Sequence, residues 1–325
     1  MINRRDFLRG SVGLAGVALV GCGGGPGVIL PPTPPVLPRP QVREIAWYEI
    51  SDRGDFWGSL GQHYVGEATR SSNSLALFNR GGYWQSALAL APRFKRATVF
   101  CDDYRDVVVM VQAAQAAGLK VEFVVDHDEP DLDGSTTCEG LNGRYRAFRD
   151  KLDEAGLQGV LVGVNLSLTT SHWKNLMANH ECDFIANDGI YVGARDWLHS
   201  ARPRLMEFFE WKRASVHAAK PAPFVLQAFS SHVLNPQQID KEWMARQLRL
   251  LTPGGVSEWD FEGHRVRLEA LPAWVIEQVP ALWVYLMEPK PAGDDADEAG
   301  GNNKGVVDAL VEWTQGQGQG QGQGQ

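Results

Sequence analysis

Residues 97–126, ATVFCDDYRDVVVMVQAAQAAGLKVEFVVD, contain the pattern that decides the fold. A β-rich run over 97–102 ends in two aspartates, and an amphipathic helix is predicted over 104–117, where Gly118 stops it. A second apolar run follows over 119–126. Both runs are nearly continuous in apolar residues, which is typical of parallel strands covered by helices. The stretch therefore predicts a strand–helix–strand unit of a parallel sheet.

The same unit repeats along the chain. The predicted strands are 44–50, 74–79, 97–102, 119–126, 159–165, 182–188, 223–229 and 256–261. The predicted helices are 55–68, 84–90, 104–117, 141–155, 171–178, 195–219, 236–251 and 271–287. Eight units in about 250 residues are the count and size of a (β/α)8 barrel, so an α/β, TIM-like single domain is predicted over 42–290.

A doubly wound sheet is the alternative. Such folds often carry a glycine-rich phosphate loop after the first strand, and residues 51–54, SDRG, do not form one. The barrel is therefore the preferred interpretation.

Composition and charge narrow the function classes. The chain has 325 residues, 44% of them hydrophobic, with a formal net charge of −8. The hydrophobic fraction is typical of a globular protein, and an acidic surface argues against nucleic acid as a partner. Four cysteines are too few for a fold built on disulfides.

The N-terminus resembles the export signal of bacterial lipoproteins. Residues 3–9, NRRDFLR, resemble the twin-arginine motif, a short apolar run follows over 11–20, and residues 19–22, LVGC, resemble a lipobox. The resemblance implies that the twin-arginine translocase exports the chain, that residues 1–21 are removed, and that Cys22 is acylated. The protein would then be anchored to a bacterial membrane, on its periplasmic side or at the cell surface.

The segments flanking the barrel are predicted to be extended or disordered. Residues 22–41 form a glycine- and proline-rich tether, with seven prolines between positions 26 and 40. Residues 291–325 are predicted to be a loop, a short helix over 305–313 and a disordered Gly-Gln tail.

Polar side chains follow the predicted ends of nearly every strand. In a barrel these ends converge on one mouth, where active sites lie, although Asp and Asn also favour turns and caps. The chain contains eleven tryptophans, and aromatic rings can stack on sugar faces. Trp211, Trp243, Trp274 and Trp283 are instead expected between helices and barrel. The expected ligand-binding residues are Glu49, Arg80, Asp102, Asp103, Asn165, Asn187, Tyr191 and Trp259.

The predicted barrel resembles the TIM-barrel glycoside hydrolases in architecture and in the placement of carboxylates. The resemblance implies a retaining mechanism, with Asp126 after the fourth strand as nucleophile and Asp188 after the sixth as acid. Asn165 or Arg80 would hold Asp126 by hydrogen bonds, and Glu258 after the eighth strand is the reserve for either role. The families that place glutamates after strands four and seven are disfavoured, because residues 227–230, QAFS, lack an acid.

Two functions stay open from the sequence. One is a membrane-anchored glycosidase that acts on a carbohydrate without a metal or cofactor. No H-x-H or H-E-x-x-H pattern favours a metal site, and no G-x-S-x-G pattern favours a serine nucleophile. The other is a surface lipoprotein that binds a glycan or organises the envelope without turnover. Three cysteines remain after acylation, and the pair Cys101–Cys138 is favoured for a disulfide because both are expected near the mouth.

The export signal predicts lipidation of Cys22. In a host with lipoprotein processing, radiolabelled fatty acid is expected to label the wild type and not Cys22→Ala. Equal labelling of both chains, or of neither, would contradict the lipobox interpretation.

Overall fold

Eight parallel strands close into a barrel in the computed structural model. It describes residues 42, 44–48, 73–79, 83–190, 201–227, 241–261, 263–285 and 303–318. Within these ranges the strands are β1 Glu44–Tyr48, β2 Ser74–Phe78, β3 Arg96–Phe100, β4 Lys120–Asp128, β5 Leu161–Leu166, β6 Phe184–Ile190, β7 Phe224–Gln227, β8 Val256–Phe261, β9 His264–Glu269 and β10 Ala281–Tyr285. The order around the barrel is β1-β10-β7-β6-β5-β4-β3-β2. The predicted (β/α)8 fold is confirmed.

Helices between the strands form the outer layer. They are α1 Tyr83–Leu88, α2 Tyr104–Ala116, α3 Cys138–Glu154, α4 His172–Met177, α5 Arg202–Ala214, α6 Lys241–Leu250, α7 Ala273–Ile276 and α8 Asn303–Gly318. The helix predicted over 55–68 lies outside the described residues. None of the described helices combines the length and the apolar character needed to cross a bilayer.

Local signals place the best-formed helices. The Asp103 carboxylate accepts from the Arg105 amide at 2.9 Å at the start of α2, and the Thr137 hydroxyl accepts from the Gly140 amide at 3.1 Å at the start of α3. Both helices run into a glycine with positive φ, Gly118 at 86° and Gly156 at 75°. These are the stops that the sequence predicts.

Aromatic rings fill the inside of the barrel. The ring of Trp283 lies 5.2 Å from that of Phe100, 6.1 Å from Phe123 and 6.2 Å from Phe184, between ring centroids. Small residues on the same interior face leave space for these rings, and they are Ala46, Ala76, Gly163, Ala186 and Ala281. The expectation that Trp283 packs between helix and barrel is therefore wrong, because it stands on a strand with its ring inside.

The eighth barrel strand is not the one that the sequence predicts. Residues 256–261 form β8, which pairs antiparallel with β9 in a separate two-stranded hairpin. The barrel is closed by β10, which pairs parallel with both β1 and β7. The helix predicted over 271–287 shrinks to α7, because residues 281–285 belong to this buried strand.

Two further expectations need correction. Helix α8 continues to Gly318, beyond the end predicted at residue 313, and residues 319–325 lie outside the described part. Cys101, Cys138 and Cys182 are all free thiols, so the favoured pair is not formed. The Cys101 thiol instead donates to the Asp103 carbonyl at 3.0 Å.

Close contact between β5 and β6 predicts a test of the interior packing. A Cβ added at Gly163 would lie 2.2 Å from the Phe184 carbonyl oxygen, so Gly163→Ala is expected to cost about 1–3 kcal/mol of unfolding free energy or more, measured by urea denaturation. The control is Gly143→Ala within α3, whose Cβ meets nothing within 4 Å and which is expected to gain about 0.5–1 kcal/mol. Equal stability of the two variants would contradict the described packing.

Candidate functional site

A cavity opens at the carboxyl ends of β2, β3 and β4. Its volume is about 290 Å³, and it lies where barrel enzymes place their chemistry. The lining residues are Phe78, Asn79, Phe100, Cys101, Asp102, Val125, Asp126, His127, Asp128 and Arg144. The predicted site residues Asp102 and Asp126 thus border one cavity.

A bulge in β4 sets the directions of its acidic residues. Val125 pairs with Gly163 and His127 with Val164, so Asp126 is one residue too many for the ladder. The register then resumes with Asp128 opposite Asn165. The bulge therefore brings Asp128, and not Asp126, level with Asn165.

Asp126 is buried without a matched partner. Neither of its carboxyl oxygens has a hydrogen-bond partner among the described residues, although the nearby Asp126 and His127 amides weakly favour the charged form. Burial raises the pKa of Asp126 to about 7, against the opposing charge of Arg144. The Arg144 Nε donates at 2.7 Å to the backbone carbonyl of Asp126 rather than to its carboxyl group. This environment does not match the ionised, hydrogen-bonded nucleophile that the sequence interpretation requires.

Asn165 stabilises a different carboxylate from the one expected. Its Nδ2 donates to the Asp128 Oδ1 at 2.8 Å, so the expected bond to Asp126 is not made. Asn165 is fully buried, and its Oδ1 has no partner within the described part of the chain.

Glu129 is the functional candidate that the expected site set omits. It follows β4 directly, is half-buried, and has left-handed backbone angles, φ 50° and ψ 47°. Burial, followed by the negative charges of Asp128 and Asp131, raises the pKa of Glu129 to about 7. The left-handed conformation costs a non-glycine residue about 1–2 kcal/mol. The acidic run 126–129 was the available signal, but sequence alone does not say which member is half-buried.

Asp102 and Asp103 separate into two roles. Asp102 is exposed at the cavity, and its amide donates to the Asn79 Oδ1 at 3.5 Å. Asp103 caps α2, and the hydrogen bonds from the side chain and amide of Arg105 lower its pKa to about 2. Its carboxylate is therefore already engaged by its own helix.

The two predicted residues on β6 stand where the pairing of that strand becomes irregular. Phe184 and Ala186 point into the barrel, so alternation places Asn187 on the outer face. The register with β7 then shifts between Asn187 and Ile190, a stretch that contains Asp188. Both predicted residues are buried, and the Asn187 Nδ2 approaches the Pro223 carbonyl at 3.5 Å. Asn187 thus supports the wall between β6 and β7, and Asp188 is buried next to it.

Glu258 and Trp259 lie on the β8–β9 hairpin and not at the end of a barrel strand. The hairpin connects α6 to β10, and connections from a helix to the next strand run at the amino ends of the strands. Glu258 pairs with Arg265 at 2.5 Å, and the Trp259 ring packs in the outer core with Arg246 5.4 Å from its centroid. The expectations of a reserve catalytic acid and a sugar platform here are therefore wrong.

The remaining expected residues cannot be placed. Glu49, Arg80, Tyr191 and Cys22 lie outside the described residues. Among those described, no group of three or more His, Cys, Asp or Glu residues could hold a metal ion.

Comparisons with known proteins support the fold. No protein family matches the sequence, and no curated protein does. Among solved structures, the chain resembles a β-glucuronidase from Ruminococcus gnavus in complex with D-glucaro-δ-lactam, with 12% identity, a TM-score of 0.50 and 84% of this chain covered. An uncultured Clostridium sp. β-glucuronidase matches at 10% identity, TM-score 0.50 and 84% of this chain. A GH39 β-xylosidase from Caulobacter crescentus matches at 14% identity and TM-score 0.46, over 86% of this chain and 73% of that one.

The two matches with a TM-score of 0.50 show a shared barrel fold and nothing finer. The chain spans 49% and 50% of the lengths of the two β-glucuronidases. At such low identity the likeness concerns the path of the backbone, so the function rests on the site itself.

The environment of Asp126 predicts how stability depends on pH. Below about pH 4 the carboxyl is protonated in both states; above it the unfolded chain ionises while the folded one stays protonated up to about pH 7. The free energy of unfolding therefore falls by a few kcal/mol as the pH rises from about 4 to about 7. Asp126→Asn removes this loss, so its urea midpoint is expected to match wild type near pH 4 and to exceed it at pH 8.

A surface variant controls for the change in net charge. Asp150→Asn, at an exposed position of α3, also removes one carboxyl group. If Asp126→Asn is no more stabilising at pH 8 than at pH 4, relative to this control, the Asp126 carboxyl is paired and ionised in the folded protein.

Proposed function

We propose that the protein binds a carbohydrate in the cavity at the ends of β2, β3 and β4. The observation that carries the proposal is the combination of polar and apolar walls. The Phe78 and Phe100 rings stack with centroids 4.5 Å apart, and Asn79, Asp102 and Asp128 supply donors and acceptors around the same space. Sugars present apolar C–H faces and rims of hydroxyl groups, which match rings and carboxylates respectively. The barrels shared with two β-glucuronidases support this ligand class.

The reaction that the residues favour is hydrolysis of a glycosidic bond with Glu129 as the proton donor. A general acid needs a pKa close to the working pH, and the pKa of Glu129 at about 7 meets this requirement. Asp188, which is buried on β6, is the proposed second carboxylate. This assignment keeps the predicted two-carboxylate mechanism but moves the β4 acid from Asp126 to Glu129.

The spacing of the two strands bears on the stereochemistry. β4 and β6 are separated by β5 alone, which places their backbones about 10 Å apart. Two side chains that point towards each other across this distance can hold their carboxyl groups at the retaining separation of about 5–5.5 Å or at the inverting one of about 6.5–9.5 Å. The strand spacing is therefore compatible with both courses. The proposed retaining course is tested by the anomeric configuration of the first product, read by proton NMR.

The proposed location is outside the cytoplasm. It rests on the export signal and lipobox at residues 3–22, with the acyl chains on Cys22 holding the barrel at the membrane. The substrate would then be a glycan of the envelope or the surroundings.

A glycan-binding role without turnover is the second candidate. It is favoured by Asp126, which borders the cavity but is buried with a pKa of about 7, and so does not behave as the strand-four nucleophile expected of a retaining enzyme. A protein of this kind would bind an oligosaccharide and release it unchanged.

The proton-donor role predicts the behaviour of Glu129→Gln. On glycosides with poor leaving groups kcat is expected to fall by about 10²–10⁴-fold, because the amide cannot donate the proton. On activated aryl glycosides the loss is expected to be much smaller. The wild-type rate should fall as pH rises through about 7, where Glu129 loses its proton, and this limb should vanish in the variant.

The matched control is Glu139→Gln, at an exposed position of α3. It is expected to keep the wild-type rate and pH profile. If Glu129→Gln keeps both on a glycoside that the wild type cleaves, the proton donor lies elsewhere. If the wild type binds oligosaccharides in calorimetry but cleaves none of them, the binding role replaces the enzymatic one.

A further inference from the structure

Three hydrogen bonds join the loops that follow β4 and β5. The Asp131 carboxylate is 1% exposed and accepts from the Ser167 amide at 2.8 Å and the Leu168 amide at 2.9 Å. The Thr170 hydroxyl donates to the Asp131 carbonyl at 2.9 Å. Since the three donors come from one loop and the acceptors from one residue of the other, Asp131 fixes the two loops together.

Both loops are held in an unfavourable backbone conformation beside these bonds. Among the described residues, Glu129 and Leu168 are the two non-glycine residues with positive φ, at 50° and 58°. The Glu129 amide also donates to the Asn165 carbonyl at 2.7 Å. Conformations of this kind persist where surrounding contacts determine them, and they cluster at functional sites. The contacts that determine them here are those of Asp131 and Asn165.

We propose that Asp131 is a positioning residue, which holds residues 129–132 against residues 167–170 so that the Glu129 carboxyl is fixed at the barrel mouth. The proposal rests on the function proposed for Glu129. Asp131 itself does not touch the ligand, because its carboxylate is buried and both of its oxygens are occupied by backbone amides.

Asp131 also acts on Glu129 through its negative charge, in addition to fixing the loop. Burial is the main reason that the pKa of Glu129 is raised, and the negative charges of Asp128 and Asp131 add to it. Burial raises the pKa of Asp131, although the hydrogen bonds from the Ser167 and Leu168 amides oppose this. Removing the Asp131 charge, or letting the loop move Glu129 into water, therefore lowers the pKa of Glu129 in either case.

The test compares Asp131→Asn with Asp133→Asn in the full chain. An amide at position 131 can accept from one of the two backbone N–H groups and places its own N–H₂ against the other. Asp133 is the matched control, since it lies in the same loop but is exposed and bonds only within its own turn, to Ser135 and Thr136. The readouts are the pKa of Glu129 from carbon-13 NMR titration, assigned with Glu129→Gln, and hydrogen exchange of the Ser167 and Leu168 amides.

Asp131→Asn is expected to lower the pKa of Glu129, to speed exchange of both amides, and to reduce kcat about 10–100-fold with a smaller change in KM. Asp133→Asn is expected to leave all of these at wild-type values. If Asp131→Asn folds and keeps the wild-type pKa and exchange rates, the positioning role is refuted.

A milder variant and the NMR readouts test the positioning role when Asp131→Asn does not fold or when the wild type is inactive. If Asp131→Asn does not fold, Thr170→Val takes its place, because it removes one hydroxyl donor to Asp131 at similar volume and is expected to shift the same two quantities less. Unchanged values in that variant would refute the proposal. If the wild type hydrolyses no glycoside, the proposed reaction fails while the NMR readouts still decide whether Asp131 positions Glu129.

Discussion

The rings around Trp283 are the packing on which the rest of the structure depends. A closed barrel has no free strand edge, but it must fill its interior without voids. Here four aromatic residues, Trp283, Phe100, Phe123 and Phe184, meet at the centre, and several alanines stand beside them on the interior face. Large rings next to small side chains fill the barrel while its strands close around them.

The irregularities of the barrel mouth carry its chemistry. Regular alternation would have continued β4 without interruption, and the bulge at Asp126 instead presents Asp128 to Asn165 and leaves Asp126 buried. The next residue, Glu129, has a left-handed backbone and a raised pKa, since it is half-buried among negative charges. Asp126, Asp128 and Glu129 thus have three different environments. Because their environments differ, acids at one strand end can take different roles, as a buried acid, a hydrogen-bonded carboxylate and a proton donor respectively.

The sequence contains a signal against the prediction that residues 256–261 form the eighth barrel strand. Residues 257–260 and 265–269 alternate between more and less buried positions, as an antiparallel hairpin with one packed face does, whereas barrel strands are nearly continuous in apolar residues. The true last strand, β10, lies in an apolar stretch that periodicity alone does not separate from a buried helix. Glu258 and Trp259 entered the expected site through this one error.

The sequence by itself determined the repeated strand–helix unit, the stops at Gly118 and Gly156 and the collection of acids at the strand ends, because these depend on local propensity and chain order. It could not determine which acid is ionised, since that depends on burial and on neighbours such as Asn165 and Asp131 that are distant in sequence. Which segment closes the barrel was also decided only by the tertiary structure. Closure is a long-range pairing of β10 with β1 and β7, and no local pattern encodes it.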